Sequence, residues 1–146
     1  MKQAGSKDAF YQVDYTYPMS LARIALKNQS QVFNLVSSIG ANEKSLFYYS
    51  RVKGEIESSI SNIGIKQVNI FRPSLLLGKR EESRLGENFG GAIGKFLTPL
   101  IMKKYRPIEA AVVARALITA SSVQNPGINI YESDVMANPA FLQNNK

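Results

Sequence analysis

The chain has no histidine, no cysteine and no tryptophan. Without His or Cys there can be no Ser-His-Asp or Cys-His triad, no zinc centre of imidazole or thiolate ligands, and no disulfide framework. Acid–base chemistry is left to Tyr, Lys, Asp and Glu, and no metal site is expected. Long apolar runs are missing too. The best candidate, residues 107–123, is interrupted by Glu109, Arg115 and several hydroxyls, short of the roughly 18 apolar residues that a spanning helix needs. The N-terminus has no signal-peptide apolar core. These absences predict a cytoplasmic protein without membrane contact.

What is present suits one folded domain: 146 residues, 45% hydrophobic and 20% charged, enough to bury a single core. We place that domain at residues 1–136 and read 137–146 as a C-terminal tail. The net charge of +7 is not evenly spread. Residues 1–50 carry five basic and three acidic groups, residues 51–106 eleven and five, and residues 107–146 two and three. A basic middle can serve a phosphate-bearing ligand as well as a polynucleotide. Nucleic acid ranks last, because the cations are interleaved with Glu55, Glu57, Glu81, Glu82 and Glu87 and no uninterrupted basic helix face exists.

Periodicity supplies the order of elements. Phe10, Val13, Tyr17, Leu21, Ile24 and Ala25 form the stripe of an amphipathic helix over residues 9–28, kinked or restarted at Pro18. Residues 31–38 read as a buried strand. Leu46, Tyr49, Val52, Ile56, Ile60 and Ile63 mark a second helix, closed by Gly64 where a left-handed cap belongs. A strand follows from Gln67 to Arg72, stopped by Pro73, and a charged loop runs from Lys79 to Glu87. Residues 88–104 make a poor helix, with Gly90, Gly91, Gly94 and Pro99 inside it. Pro107 opens a further helix, and residues 128–132 are a short strand. Alternating strands and helices imply an α/β class with a parallel sheet of about three strands. So small a sheet leaves an apolar edge at residues 32–36, which predicts self-association unless something covers it.

Tyr49 and Lys53 stand at i and i+4 on one helix, so they share a face. A nearby cation favours phenolate, which suits a phenol for proton transfer. Ser37 and Ser38 end the preceding strand, where loops of parallel sheets line a ligand crevice. Taken alone, Tyr-x-x-x-Lys is a common spacing and is usually a half-buried aromatic beside a solvated lysine.

The context adds to it. A strand ending Val36-Ser37-Ser38-Ile39-Gly40-Ala41, the Tyr/Lys helix, and a strand running into Arg72-Pro73-Ser74 resemble, in that order, the catalytic half of the short-chain dehydrogenase/reductase superfamily. Residues 47–57, 70–78 and 80–87 are similar to its atypical group around the Tat-interacting oxidoreductase, and the likeness extends from about Ala4 to Met136. This resemblance implies the later part of a Rossmann-like, doubly wound sheet and an NAD(P)-dependent oxidoreductase acting on a small carbonyl or alcohol. It further implies Tyr49 as general acid/base, Lys53 as its tuning cation and ribose ligand, and Ser38 as the hydroxyl orienting the substrate, with Ser37 in reserve. Phe71, Arg72, Pro73 and Ser74 would lie beside the nicotinamide of NADP or NAD. Arg80 and Arg84 are weaker candidates for an anionic substrate, as arginines in a loop after a crevice strand.

One departure limits this reading. The strand, Gly-rich turn and helix that hold a pyrophosphate do not precede Lys7. Glycines 86–94 follow a charged loop instead of a strand, so they do not replace it. The N-terminal phosphate-binding half, roughly 70–80 residues by the size of βαβ units, is therefore expected to be absent and cofactor binding impaired. The alternative is a non-catalytic regulatory or protein-interaction module on the same scaffold.

Overall fold

The computed structural model describes residues 5–77 and 103–143. Helix α1 (Lys7–Tyr11) runs through a π-helical turn (Gln12–Thr16) into α2 (Tyr17–Lys27). Strand β1 (Val32–Val36), helix α3 (Tyr48–Ser61) and strand β2 (Gln67–Arg72) follow. Short strands β3 (Leu76–Leu77) and β4 (Ile108–Glu109) pair with each other. The chain then continues as α4 (Ala110–Ser122), β5 (Gly127–Glu132), α5 (Ser133–Met136) and α6 (Pro139–Gln143). The main sheet is parallel, in the order β1-β2-β5. This is the α/β arrangement expected, a partial Rossmann-like fold with helices on both faces. Among the described residues no helix is long and apolar enough to cross a membrane.

The alternation of β2 builds the layers. Val68 and Ile70 face α3, joining Leu35, Ile56, Ile60, Ile65 and Ala22 in one core. Phe71 faces the other way, into a second core with Val113, Ala116, Ala120, Ile108 and Met136. The residues before Phe71 on that face are amides. Asn34, Asn69 and Asn129 lie in register across the three strands. Asn69 is fully buried. Its Nδ2 donates to Asn34 Oδ1 at 2.8 Å, and Asn129 Nδ2 donates to Asn69 Oδ1 at 3.2 Å. Gln67 Nε2 donates to the Ala120 and Val123 carbonyls, each at 3.1 Å. The row thus satisfies carbonyls at the end of α4, which no intrahelical N–H can reach, and ties that end to the sheet.

Three expectations change. The N-terminal stripe is buried only in part: Phe10 is buried and Ala25 packs on the core, but Val13, Tyr17, Leu21 and Ile24 are each more than half exposed, and Tyr15, Met19 and Ala22 face the core. The cause is the π turn, whose wider winding shifts the helix phase. It lies just before Pro18, which has no N–H for the Asp14 carbonyl and whose ring crowds it. The tail is not featureless, because α6 places Phe141 and Leu142 against the second core. The β3–β4 pair was not expected. The loop at 79–87 and the helix at 88–104 fall, for all but its last two residues, outside the described residues.

Helix α3 buries Val52, Ile56 and Ile60 as its pattern predicts, but it starts after Leu46, which is exposed, and ends at Ser61, three residues before Gly64 at φ +97°. Gly54 inside it has a different role. A Cβ there would lie 2.1 Å from the Glu43 nitrogen, so the loop before α3 packs directly on the helix backbone.

The amide row makes a testable demand. Asn69→Leu keeps the branched shape but strips partners from Asn34 and Asn129, and unsatisfied buried groups cost about 1–3 kcal/mol each. Urea unfolding should show a loss of about 2–4 kcal/mol with unchanged slope. A loss near zero would mean that the row contributes no stability.

Candidate functional site

The carboxyl ends of β1 and β2 are joined by backbone bonds. Ser37 N donates to Phe71 O at 2.7 Å and Ile39 N to Pro73 O at 3.0 Å. Two of the expected groups, Ser37–Ser38 and Phe71–Ser74, therefore do meet, at the end of the sheet where parallel α/β folds hold ligands. Ser37 Oγ is buried and has no hydrogen-bond partner among the described residues. Ser38 Oγ contacts only the carbonyl of the next residue, at 3.2 Å.

The remaining residues are arranged less simply. Tyr49 lies at the start of α3, 41% exposed, with its ring 5.6 Å from that of Phe10. Lys53, one turn on, directs its ammonium to Asp14, at 2.5 Å. Asp14 belongs to the π turn, so the irregular helix supplies a counter-ion for the lysine. Arg72 forks onto Glu57 through Nε and Nη2, at 3.1–3.2 Å and 2.5 Å. That hydrogen bonding pushes the guanidinium up from its ordinary value, against the opposing effect of burial. Glu57 is buried, and Arg72 stands on the α3 face of the sheet beside Ile128 and Ile130, where a cleft of about 400 Å³ opens. Phe71 is core, stacked on Tyr131 at 5.0 Å. Ser74 is spent on contacts to Arg106 O and Ser133.

The structure therefore brings Ser37, Ser38 and the 71–74 backbone together, and sets Tyr49 and Lys53 on the adjoining helix. It turns the Arg72 and Phe71 side chains into structural contacts. Arg80 and Arg84 lie outside the described residues. Among the described residues no cluster of His, Cys, Asp or Glu could hold a metal. Sequence reasoning missed Asp14 and Glu57 as counter-ions. Local sequence carried no signal for either, since Lys53 and Asp14 come from separate helices and Glu57 shares α3 with Arg51, Lys53 and Glu55.

No known family model matches the chain. The chain is 35% identical over 134 residues to "Protein fmp52, mitochondrial" of Aspergillus clavatus, a match covering 92% of this chain and 56% of that protein. It is 38% identical over 121 residues to its namesake from Emericella nidulans, covering 80% and 51%. With "Protein FMP52, mitochondrial" of Candida albicans it shares 39% over 118 residues, covering 80% and 52%. The chain spans about half the length of these relatives.

These similarities correct the earlier reading. They run to fungal proteins named FMP52, and nothing in them supports membership of the short-chain dehydrogenase/reductase or Tat-interacting oxidoreductase group. The names state no NAD(P)-dependent oxidoreductase activity, so that assignment is withdrawn with the resemblance that carried it. The cytoplasmic expectation conflicts with the word mitochondrial in each name. It rested on missing apolar segments, and an apolar span is not the only means of reaching an organelle.

The Arg72–Glu57 fork yields a prediction about the scaffold. Arg72→Leu strands a buried carboxylate, which costs about 3–5 kcal/mol, whereas Arg72→Leu with Glu57→Leu removes both charges and should recover most of it. Thermal unfolding of the two variants checks the order. Equal destabilisation of both would show that the pair's charges are not the cause.

Proposed function

We propose that this chain is a small-molecule-binding part of a mitochondrial protein, with its crevice at the carboxyl ends of β1 and β2. The observation that carries the reading is the Ser37 hydroxyl, buried at the end of β1 without a partner among the described residues. Buried polar groups are nearly always satisfied, and one left open beside a crevice suits a ligand that would complete it. Ser38 adds a second hydroxyl one residue on, and the half-exposed Tyr49 stands at the start of the helix that follows. Lys53 joins them only if a ligand oxygen shares its ammonium with Asp14.

For the ligand, we carry forward a nicotinamide dinucleotide, NADP or NAD, as the first to test. The hydroxyls suit a carboxamide and a ribose. The pyrophosphate finds no strand–glycine turn–helix among the described residues, so the fit is to one end of the molecule. A small carbonyl or alcohol compound would meet the same hydroxyls. Binding is what is proposed here, and no redox reaction is assigned. Mitochondrial residence rests on the relatives' names.

Calorimetric titration of the chain with NADPH and with NADH tests the site. Half a site supports a Kd on the order of 1 mM, about −4 kcal/mol. Tyr49→Phe and Ser37→Ala should each weaken it roughly threefold to tenfold, the worth of one hydrogen bond. No saturable heat up to ~5 mM from a folded sample, or saturation indifferent to both substitutions, would refute the site. Cell fractionation tests residence: the protein expressed at its natural length should sediment with mitochondria, and recovery in the cytosol would refute it.

A further inference from the structure

Five cations among the described residues are partly buried: Arg51, Lys53, Arg72, Lys104 and Arg106. Four of them meet a carboxylate of the chain, Glu55, Asp14, Glu57 and Glu132 in that order. Arg106 meets none among the described residues, and its Nε is buried without a hydrogen-bond partner there, so water does not satisfy it either. A guanidinium keeps its charge at any working pH and cannot escape burial by losing a proton. Burying an unmatched charge is costly, and buried polar groups are nearly always satisfied.

The backbone around Arg106 is pinned. Its carbonyl accepts the Ser74 hydroxyl. Ser133 Oγ lies 3.1 Å from that hydroxyl and accepts from Ser74 N at 2.9 Å. Ile108 N donates to Leu75 O at 3.0 Å, with Pro107 between it and Arg106. Ser74 follows β2 and Ser133 follows β5, so Arg106 stands at the carboxyl ends of these strands, where parallel α/β sheets receive ligands. The acids beside Ser133 are engaged elsewhere, Glu132 by Lys104 and Asp134 by the backbone N–H of Val135.

We infer that Arg106 seats an oxyanion of a ligand, a carboxylate or a phosphate group, on the Nε–Nη2 edge of its guanidinium. That edge offers two parallel N–H donors. Arg72 shows the same grip within this protein, holding Glu57 through Nε and Nη2. The Arg106 side chain is partly exposed, which gives an anion access, and the exposed Lys103 adds to the positive field around it. The seat lies at the ends of β2 and β5, apart from the hydroxyls at the end of β1, and stands if no dinucleotide binds.

Nuclear magnetic resonance of the isotope-labelled protein at its natural length reads the Nε–Hε resonance of Arg106, identified by its loss in Arg106→Lys. Inorganic phosphate and acetate, titrated separately at constant ionic strength, should move it saturably, with a Kd on the order of 1–10 mM for at least one of them. Which anion responds tells phosphate from carboxylate, and chloride should leave the resonance in place. The backbone amides of Ser74 and Ser133 should follow the same titration, and in Arg106→Lys they should need at least ~10-fold more anion, because an ammonium lacks the fork. No shift with either anion up to ~50 mM in a folded protein overturns the inference. So does an equal shift with chloride, or a titration undiminished in Arg106→Lys. If the joint change Glu81→Gln, Glu82→Gln and Glu87→Gln moves the resonance with no anion added, the chain itself supplies the partner, and the inference is likewise overturned.

Discussion

The structure depends on the row of amides across the middle of its sheet. In a parallel sheet a slip of one residue moves every side chain to the opposite face, and Asn34, Asn69 and Asn129 bond only when the three strands are in step. The same row takes up carbonyls at the end of α4 through Gln67, fixing that helix to the sheet. With the register fixed, the ends of β1 and β2 are level, and Ser37 N reaches Phe71 O. The candidate crevice thus follows from a polar device in the interior, where an unpaired amide would be costly and a fully paired one selects a single arrangement.

Charge plays the corresponding part around α3. This helix is held to the N-terminal segment by Lys53–Asp14 and to the sheet by Arg72–Glu57. Both cations were candidates for ligand contact, and each is met by a carboxylate of the chain itself. What is left to the proposed site is the pair of hydroxyls Ser37 and Ser38, which would suit a neutral or hydroxyl-bearing portion of a ligand better than a bare phosphate.

Much of the fold was legible in the sequence, because β2, β5 and α3 have patterns that tertiary contacts reinforce. The phase of α2 was not, since reading a stripe assumes 3.6 residues per turn throughout and the π turn before Pro18 departs from that. The amide row left a signal that went unread: Phe33-Asn34-Leu35, Val68-Asn69-Ile70 and Ile128-Asn129-Ile130 each place an Asn between apolar neighbours in a strand. The candidate site was legible in part. The meeting of Ser37–Ser38 with Phe71–Ser74 follows from strand order, but the capture of Lys53 by Asp14 depends on how the first helix lies across α3, which no local spacing encodes. The family reading failed for a related reason: short motifs around Tyr49 and Arg72 were asked to carry a chemistry, whereas the similarity that extends over nine-tenths of the chain points to mitochondrial FMP52 proteins.

The account is tested most directly by hydrogen exchange of the Asn69 side-chain amide, followed by nuclear magnetic resonance. If the row holds the three strands in register, the Asn69 Nδ2 protons exchange only through global unfolding, as slowly as the backbone amides of β2. Exchange of those protons at the rate of an exposed asparagine, in a protein whose β2 amides stay protected, would contradict it.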